Sequence, residues 1–298
     1  MTSIVGERFV NKKIGRSWWS RLLKILAGQS EDERFAKPMD VAVDAGGRIF
    51  VADPGAGCVH VIDERLGRYR QIRDVPGGRS LQSPVGVAVD RAGRLQVSDS
   101  TLNLIVIYSA EGKAEGVWGE GVLKRPAGIA AAPDGSLYVV DSSADQIVRF
   151  DAGGRELARY GRRGVGPGEF NRPSYLAIDA SGGIWIVDTL NFRVQHLDAD
   201  GKFLSAFGKA GDGTGNLGRP KGIAVGPGNV VWVADGMFDV IQLFQPDGQL
   251  LLVVGGPGRS SGQFWLPAGV TMGADGRVYV ADSYNGRVQV LDPSGAAL

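Results

Sequence analysis

The chain has 298 residues, 43% hydrophobic and 22% charged, with 33 Lys+Arg against 32 Asp+Glu. This is an ordinary globular composition, and so even a charge balance singles out no partner. One cysteine, Cys58, excludes an intrachain disulfide framework and a multi-cysteine metal centre. No window approaches 18 consecutive apolar residues, so no membrane-spanning helix is expected.

The N-terminal residues 1–13 have no apolar run after a basic start, so they do not read as a signal peptide. Either the protein is cytoplasmic or this is a mature chain with a new Met1. Residues 15–28 show helical spacing: Trp18, Trp19, Leu22, Leu23 and Leu26 form a stripe, with Ser17 before it and Gly28 after. Arg16, Arg21 and Lys24 lie off the stripe. The stripe either packs on the domain or leaves a tryptophan, Trp18 or Trp19, free as a docking anchor.

From residue 35 the chain repeats. Pro38, Pro84, Pro126, Pro173, Pro220 and Pro267 recur at spacings of 46, 42, 47, 47 and 47. Fifteen residues after each stands an aspartate: Asp53, Asp99, Asp141, Asp188, Asp235 and Asp282. Three residues before each stands Phe or Leu, and nine after come Gly47, Gly93, Gly135, Gly182, Asn229 and Gly276. The last set suits hairpin turns, where φ is positive. Each copy reads as four strands. The second strands, such as IFVAD, LYVVD and IWIVD, are apolar on both faces, as in a sheet packed between two like sheets. Four-stranded sheets packed around an axis make a β-propeller, and six copies make six blades. The expected fold is all-β: one domain over 1–298, with six repeats over 35–298 and a short helical insertion over 11–34.

The sixth copy ends one strand short, so the ring needs a strand from the N-terminus. Residues 3–7 (SIVGE) and residues 22–28 (LLKILAG) are both candidates. The helical spacing of the second leaves the first, within residues 1–10, as the expected closing strand of blade 6.

The segments FNRPSYLAIDASGGIWIVDTLNFRVQHLD and FWLPAGVTMGADGRVYVADSYNGRVQVLD resemble NHL repeats, through the Phe-x-x-Pro start, the Asp ending the second strand and the Asn-x-Arg-Val-Gln third strand. The resemblance covers about 35–298. It implies a six-bladed propeller of the prokaryotic stand-alone type, a kind commonly exported. The expected location is therefore extracytoplasmic, periplasmic or secreted with a leader removed.

The six aspartates suggest a carboxylate ring, but one per blade at one repeat position is the mark of a fold device. His60 and His196 cannot supply the histidine-rich metal site of related lyases. No Gly-x-Ser-x-Gly, paired His-Glu or P-loop motif is present. No metal, cofactor or catalytic set is expected. Just before the proline stand Lys37, Arg125, Arg172 and Arg219, a partial basic ring. Two positions after it four blades carry glycine, whereas blades 1 and 4 carry Asp40 and Tyr175; Lys221 stands beside this position. Side chains where the repeat prefers glycine mark a candidate site near the channel mouth. The function expected is a monomeric, non-catalytic scaffold that binds another protein on its loop face. RNA binding and a metal-dependent lyase or hydrolase are the alternatives. The even charge balance and the absence of RING, B-box and coiled-coil segments weigh against the first.

Overall fold

The computed structural model describes residues 35–293 and the backbone of a strand at Thr2–Val5. The expected helical insertion at 11–34, with Trp18 and Trp19, lies outside the described residues. Blade 1 consists of strands Asp40–Val43, Ile49–Asp53, Cys58–Asp63 and Arg68–Ile72. Blade 2 is Pro84–Val89, Leu95–Asp99, Leu104–Tyr108 and Ala114–Trp118. Blade 3 is Pro126–Ala131, Leu137–Asp141, Gln146–Phe150 and Glu156–Tyr160. Blade 4 is Leu176–Ile178, Ile184–Asp188, Arg193–Leu197 and Phe203–Phe207. Blade 5 is Pro220–Val225, Val231–Asp235, Val240–Phe244 and Leu250–Gly255. Blade 6 has Pro267–Met272, Val278–Asp282 and Arg287–Leu291, and Thr2–Val5 lies antiparallel to the last of these. Each blade is an antiparallel sheet.

Every residue of the second strands is buried. The reason is that each core is shared by two blades. Phe50 and Ala52 pack with Val87 and Val97. Tyr138 and Val140 pack with Leu176 and Ile186. Trp232 and Ala234 pack with Val270 and Val280. Val41 and Val51 pack with Tyr279 and Val288, which joins blade 6 to blade 1. A strand apolar on one face only would expose its other face to the neighbouring blade. At the first hairpin turn all six residues take positive φ, from +58° at Asn229 to +88° at Gly182.

The aspartates are the fold device expected of them. Asp53, Asp99, Asp141 and Asp235 each accept the backbone N–H groups of the two residues before the blade's proline, at 2.7–3.0 Å. Proline has no N–H, so these are the last donors available before the proline itself. Blades 4 and 6 differ. Asp188 and Asp282 accept one amide each, from Asn171 and Trp265. The next residue, Arg172 or Leu266, takes φ near +50° and donates to Asp145 or Asp239 of the preceding blade. The freed carboxylate oxygen holds a side-chain cluster instead. Asn191, Arg193 and Gln195 all donate to Asp188 Oδ2, and Asn285, Arg287 and Gln289 to Asp282 Oδ2. Arg287 then donates to the carbonyls of Arg259, Ser260 and Gln263 and so pins the loop before blade 6. The Asn-x-Arg-Val-Gln signature is this clamp.

Arg287 and Asp282 are both buried. Arg287→Met leaves a buried carboxylate short of a donor and removes three hydrogen bonds to loop carbonyls. It should destabilise the fold by about 3 kcal/mol. Arg155, 79% exposed beside Asp151, is the comparison, and Arg155→Met should cost under about 1 kcal/mol. Urea unfolding of both variants measures the difference, and equal losses would show that the clamp is not structural.

Candidate functional site

The first strands line a central channel of about 290 Å³, with residues from all six blades. On the face that carries the prolines and aspartates a second cavity, of about 430 Å³, opens to solvent. Tyr175 lines both. Its side chain crosses from blade 4, and its hydroxyl donates to the carbonyl of Met39 in blade 1 at 2.7 Å, with that of Val85 in blade 2 at 3.4 Å. The phenol therefore forms the partition between mouth and channel.

The glycine pattern explains how this partition arises. In blades 2, 3, 5 and 6 the first strand is irregular just after its proline. The glycine there lies against the neighbouring blade: a Cβ at Gly222 would collide with the Ala268 carbonyl, and one at Gly269 with Asp40. Blade 1 pairs without irregularity, Asp40 opposite Ala52, and blade 4 pairs regularly from Leu176 opposite Ile186. These two blades can therefore carry a side chain. Asp40 is placed on the channel side of the partition, not in the mouth. Its carboxylate accepts the N–H of Val41 at 2.9 Å and of Val87 at 3.0 Å.

The mouth cavity brings together Arg125, Arg172, Arg219, Lys221 and Tyr175 of the residues singled out from the sequence. Lys37 does not line it. Its ammonium lies 5.1 Å from the centre of the Tyr284 ring. Arg172 donates to the Ser143 hydroxyl at 3.0 Å. Lys221 is half-buried. Burial, then Arg219 and Lys37, depress its ammonium to about 8. Burial, with the Asp40 charge, raises the Tyr175 phenol well above its usual range. Sequence reasoning missed the hydroxyls of Ser100, Ser142, Ser174 and Thr189, which also line the cavity. A signal was present, because the residue after the strand-end aspartate is Ser or Thr in blades 2, 3, 4 and 6. Among the described residues no Asp, Glu, His or Cys lines the mouth, and no cluster of three such residues forms a metal site. His60 lies inside blade 1, 2.8 Å from the Tyr69 hydroxyl. His196 stacks on Trp185 at 3.8 Å in blade 4.

Residues 264–291 match the NHL repeat, and residues 123–207 match a domain described as a 6-bladed beta-propeller. The chain is thus a six-bladed propeller with an NHL repeat in its last blade. No curated protein matches it by sequence. Among solved structures it is similar to streptogramin B lyase, at 17% identity over 87% of this chain and 94% of the other, with a TM-score of 0.65. It is similar to a gluconolactonase from Xanthomonas campestris, at 17% identity over 86% of each chain and a TM-score of 0.65. A chain of a nidogen/laminin complex aligns at 21% identity over 73% of this chain and 80% of that one, with a TM-score of 0.61. At such identities the likeness shows the fold alone.

The environment of Asp40 gives a pH test. Burial outweighs its two N–H bonds and pushes the carboxyl from 3.8 up to about 8. Folding therefore takes up a proton between those values. The contribution is full below about pH 4 and is lost as pH rises through about 8. Stability of the wild type should fall between about pH 5 and pH 8, and Asp40→Asn should flatten that slope. Urea midpoints across the range measure it, and identical slopes would place the ionised carboxylate in the folded channel.

Proposed function

We propose that this propeller is a non-catalytic platform that binds another protein on the face carrying the mouth cavity. The observation that carries this is an apolar rim framed by cations. Leu190, Met237 and Tyr284 each follow a strand-end aspartate by two residues and are 50%, 68% and 52% exposed. Trp265, 40% exposed, packs against Tyr284 with ring centres 5.7 Å apart. Arg259 lies 5.1 Å from the centre of the Trp265 ring, as Lys37 does from that of Tyr284. Trp, Tyr, Met and Arg are the residues enriched where proteins dock. A propeller presents them on loops fixed to a stiff ring.

Two further observations support this reading over a lyase or hydrolase. The mouth lacks a carboxylate or histidine among its described lining, so of the usual acid–base residues it holds only Lys221 and Tyr175, and the Tyr175 hydroxyl is taken up by the Met39 carbonyl. In the virginiamycin B lyase of Staphylococcus aureus a change of one histidine to alanine leaves the enzyme catalytically inactive. In this chain His60 is buried in blade 1 and His196, part-buried, stacks on Trp185. A propeller chain in a nidogen/laminin complex is a precedent for the same fold within a protein assembly.

The double change Trp265→Ala with Tyr284→Ala tests the face. Proteins retained from extract by the immobilised wild type should fall about tenfold on the variant. Leu66→Ser, on a third-to-fourth strand turn at the opposite face, should retain them. Melting temperatures should be unchanged in both. Equal retention by all three proteins, or equal loss on both variants, would sink the assignment to this face.

We propose also that Thr2–Val5 closes the ring. It pairs with Arg287–Leu291 in the register Thr2 to Leu291 through Val5 to Val288. This supports residues 1–10 as the closing segment. Deleting residues 1–10 removes several backbone hydrogen bonds worth about 0.5–1.5 kcal/mol each and exposes a strand edge. The shortened protein should melt earlier and self-associate on gel filtration. Unchanged melting and elution would assign the closure elsewhere.

A further inference from the structure

We infer that the mouth cavity is a binding site for a small polyanion, a compact group bearing phosphate or several carboxylates. Four cations line it, Arg125, Arg172, Arg219 and Lys221, and no carboxylate offsets them among the described lining residues. Four hydroxyls, from Ser100, Ser142, Ser174 and Thr189, add neutral polar groups around them. The cavity volume of about 430 Å³ suits a small ligand. Tyr175 closes its floor by the hydrogen bond to Met39, so a ligand would seat in the mouth and not pass into the channel.

Lys221 points most directly to a ligand. At its repeat position the other five blades carry Met39, Val85, Ala127, Ser174 and Ala268. The fold therefore asks for no charge there. Yet blade 5 places a half-buried ammonium beside Arg219 and within the field of Lys37. A desolvated cation among like charges opposes folding unless an anion offsets it. The two flanking guanidinium groups stand on fixed backbone: the Arg125 and Arg219 amides are held by Asp141 and Asp235 at 2.9 and 2.8 Å. Arg172 is held through its own amide by Asp145 at 2.7 Å. Such anchoring lowers the ordering cost of binding a charged group. The cations belong to blades 3, 4 and 5, so the site is one-sided although the ring is sixfold.

Calorimetric titration of the full chain at constant ionic strength, with inorganic phosphate, citrate and hexaglutamate as probes, tests this. Saturable binding of phosphate or citrate, one molecule per chain, is expected, and whichever binds more tightly identifies the class. Lys221→Met and Arg125→Ala with Arg219→Ala should each weaken it about tenfold or more. In anion-free buffer Lys221→Met should melt no lower than the wild type, which a purely structural lysine would not allow. Trp265→Ala with Tyr284→Ala should leave the titration unchanged, so the failure of the docking reading and of this one are separable. Affinity unchanged in Lys221→Met, or no binding of either small anion, overturns the site. Binding of hexaglutamate alone also overturns it and assigns the cations to an acidic segment of a partner.

Discussion

A carboxylate buried at the loop-face end of each second strand is the constraint on which the rest of this propeller depends. Asp53, Asp99, Asp141, Asp188, Asp235 and Asp282 are all fully buried. A buried carboxylate without donors would be expensive, so each must collect N–H groups. The nearest unpaired ones lie in the segment before the proline. Holding them fixes where the first strand begins, how the preceding loop enters the blade and which way the residue before the proline faces. Lys37, Arg125 and Arg219 owe their positions to this one interaction. The basic ring is thus mounted by the fold device itself.

Blades 4 and 6 show what happens when the device is varied. Their pre-proline residues turn to positive φ and hand their amides to Asp145 and Asp239 in the blade before. The blade loses one internal bond and gains a stitch to its neighbour. The vacated oxygen recruits Arg193 or Arg287, whose guanidinium gathers the carbonyls of the preceding loop. Loops that are free to move in many folds are here tied at both ends. In blade 1 the arginine and glutamine positions of the clamp are occupied by Cys58 and His60, and His60 reaches Asp53 at 3.3 Å and Tyr69 at 2.8 Å. The only cysteine and one of the two histidines are therefore substitutes within a structural cluster.

The parts of this molecule that were legible in the sequence are those the repeat enforces. Spacing of the prolines and aspartates disclosed six blades, and the apolar second strands disclosed that each is packed on both faces. Asp40 and Tyr175 stood out because they break a glycine rule, yet the sequence could not say that Asp40 lines the channel alone while Tyr175 lines both channel and mouth. The glycine rule itself rests on an irregularity of pairing in the other four blades, which no residue type announces. The hydroxyls of Ser100, Ser142 and Thr189 left a trace in the repeat, a Ser or Thr after the strand-end aspartate, but not their meeting place. That the three share one cavity is a matter of packing between repeats, which pattern within one repeat does not announce.

Function in a repeat protein is best sought where a residue is free of the repeat's own demands. The strand-end aspartates and the turn glycines are not free, since every blade needs them. The position after the proline is free, because it accepts Met39, Val85, Ala127, Ser174 and Ala268. A lysine there serves no blade. The same holds for Trp265 and Tyr284, whose rings meet at a tilt at the surface without entering a shared core. Both departures lie on one face, which the buried carboxylates hold rigid. Rigidity matters to binding because a preformed surface gives up little entropy when a partner arrives. The strongest interaction in the fold and the least constrained residues on its surface are thus physically coupled: the first makes the second worth keeping.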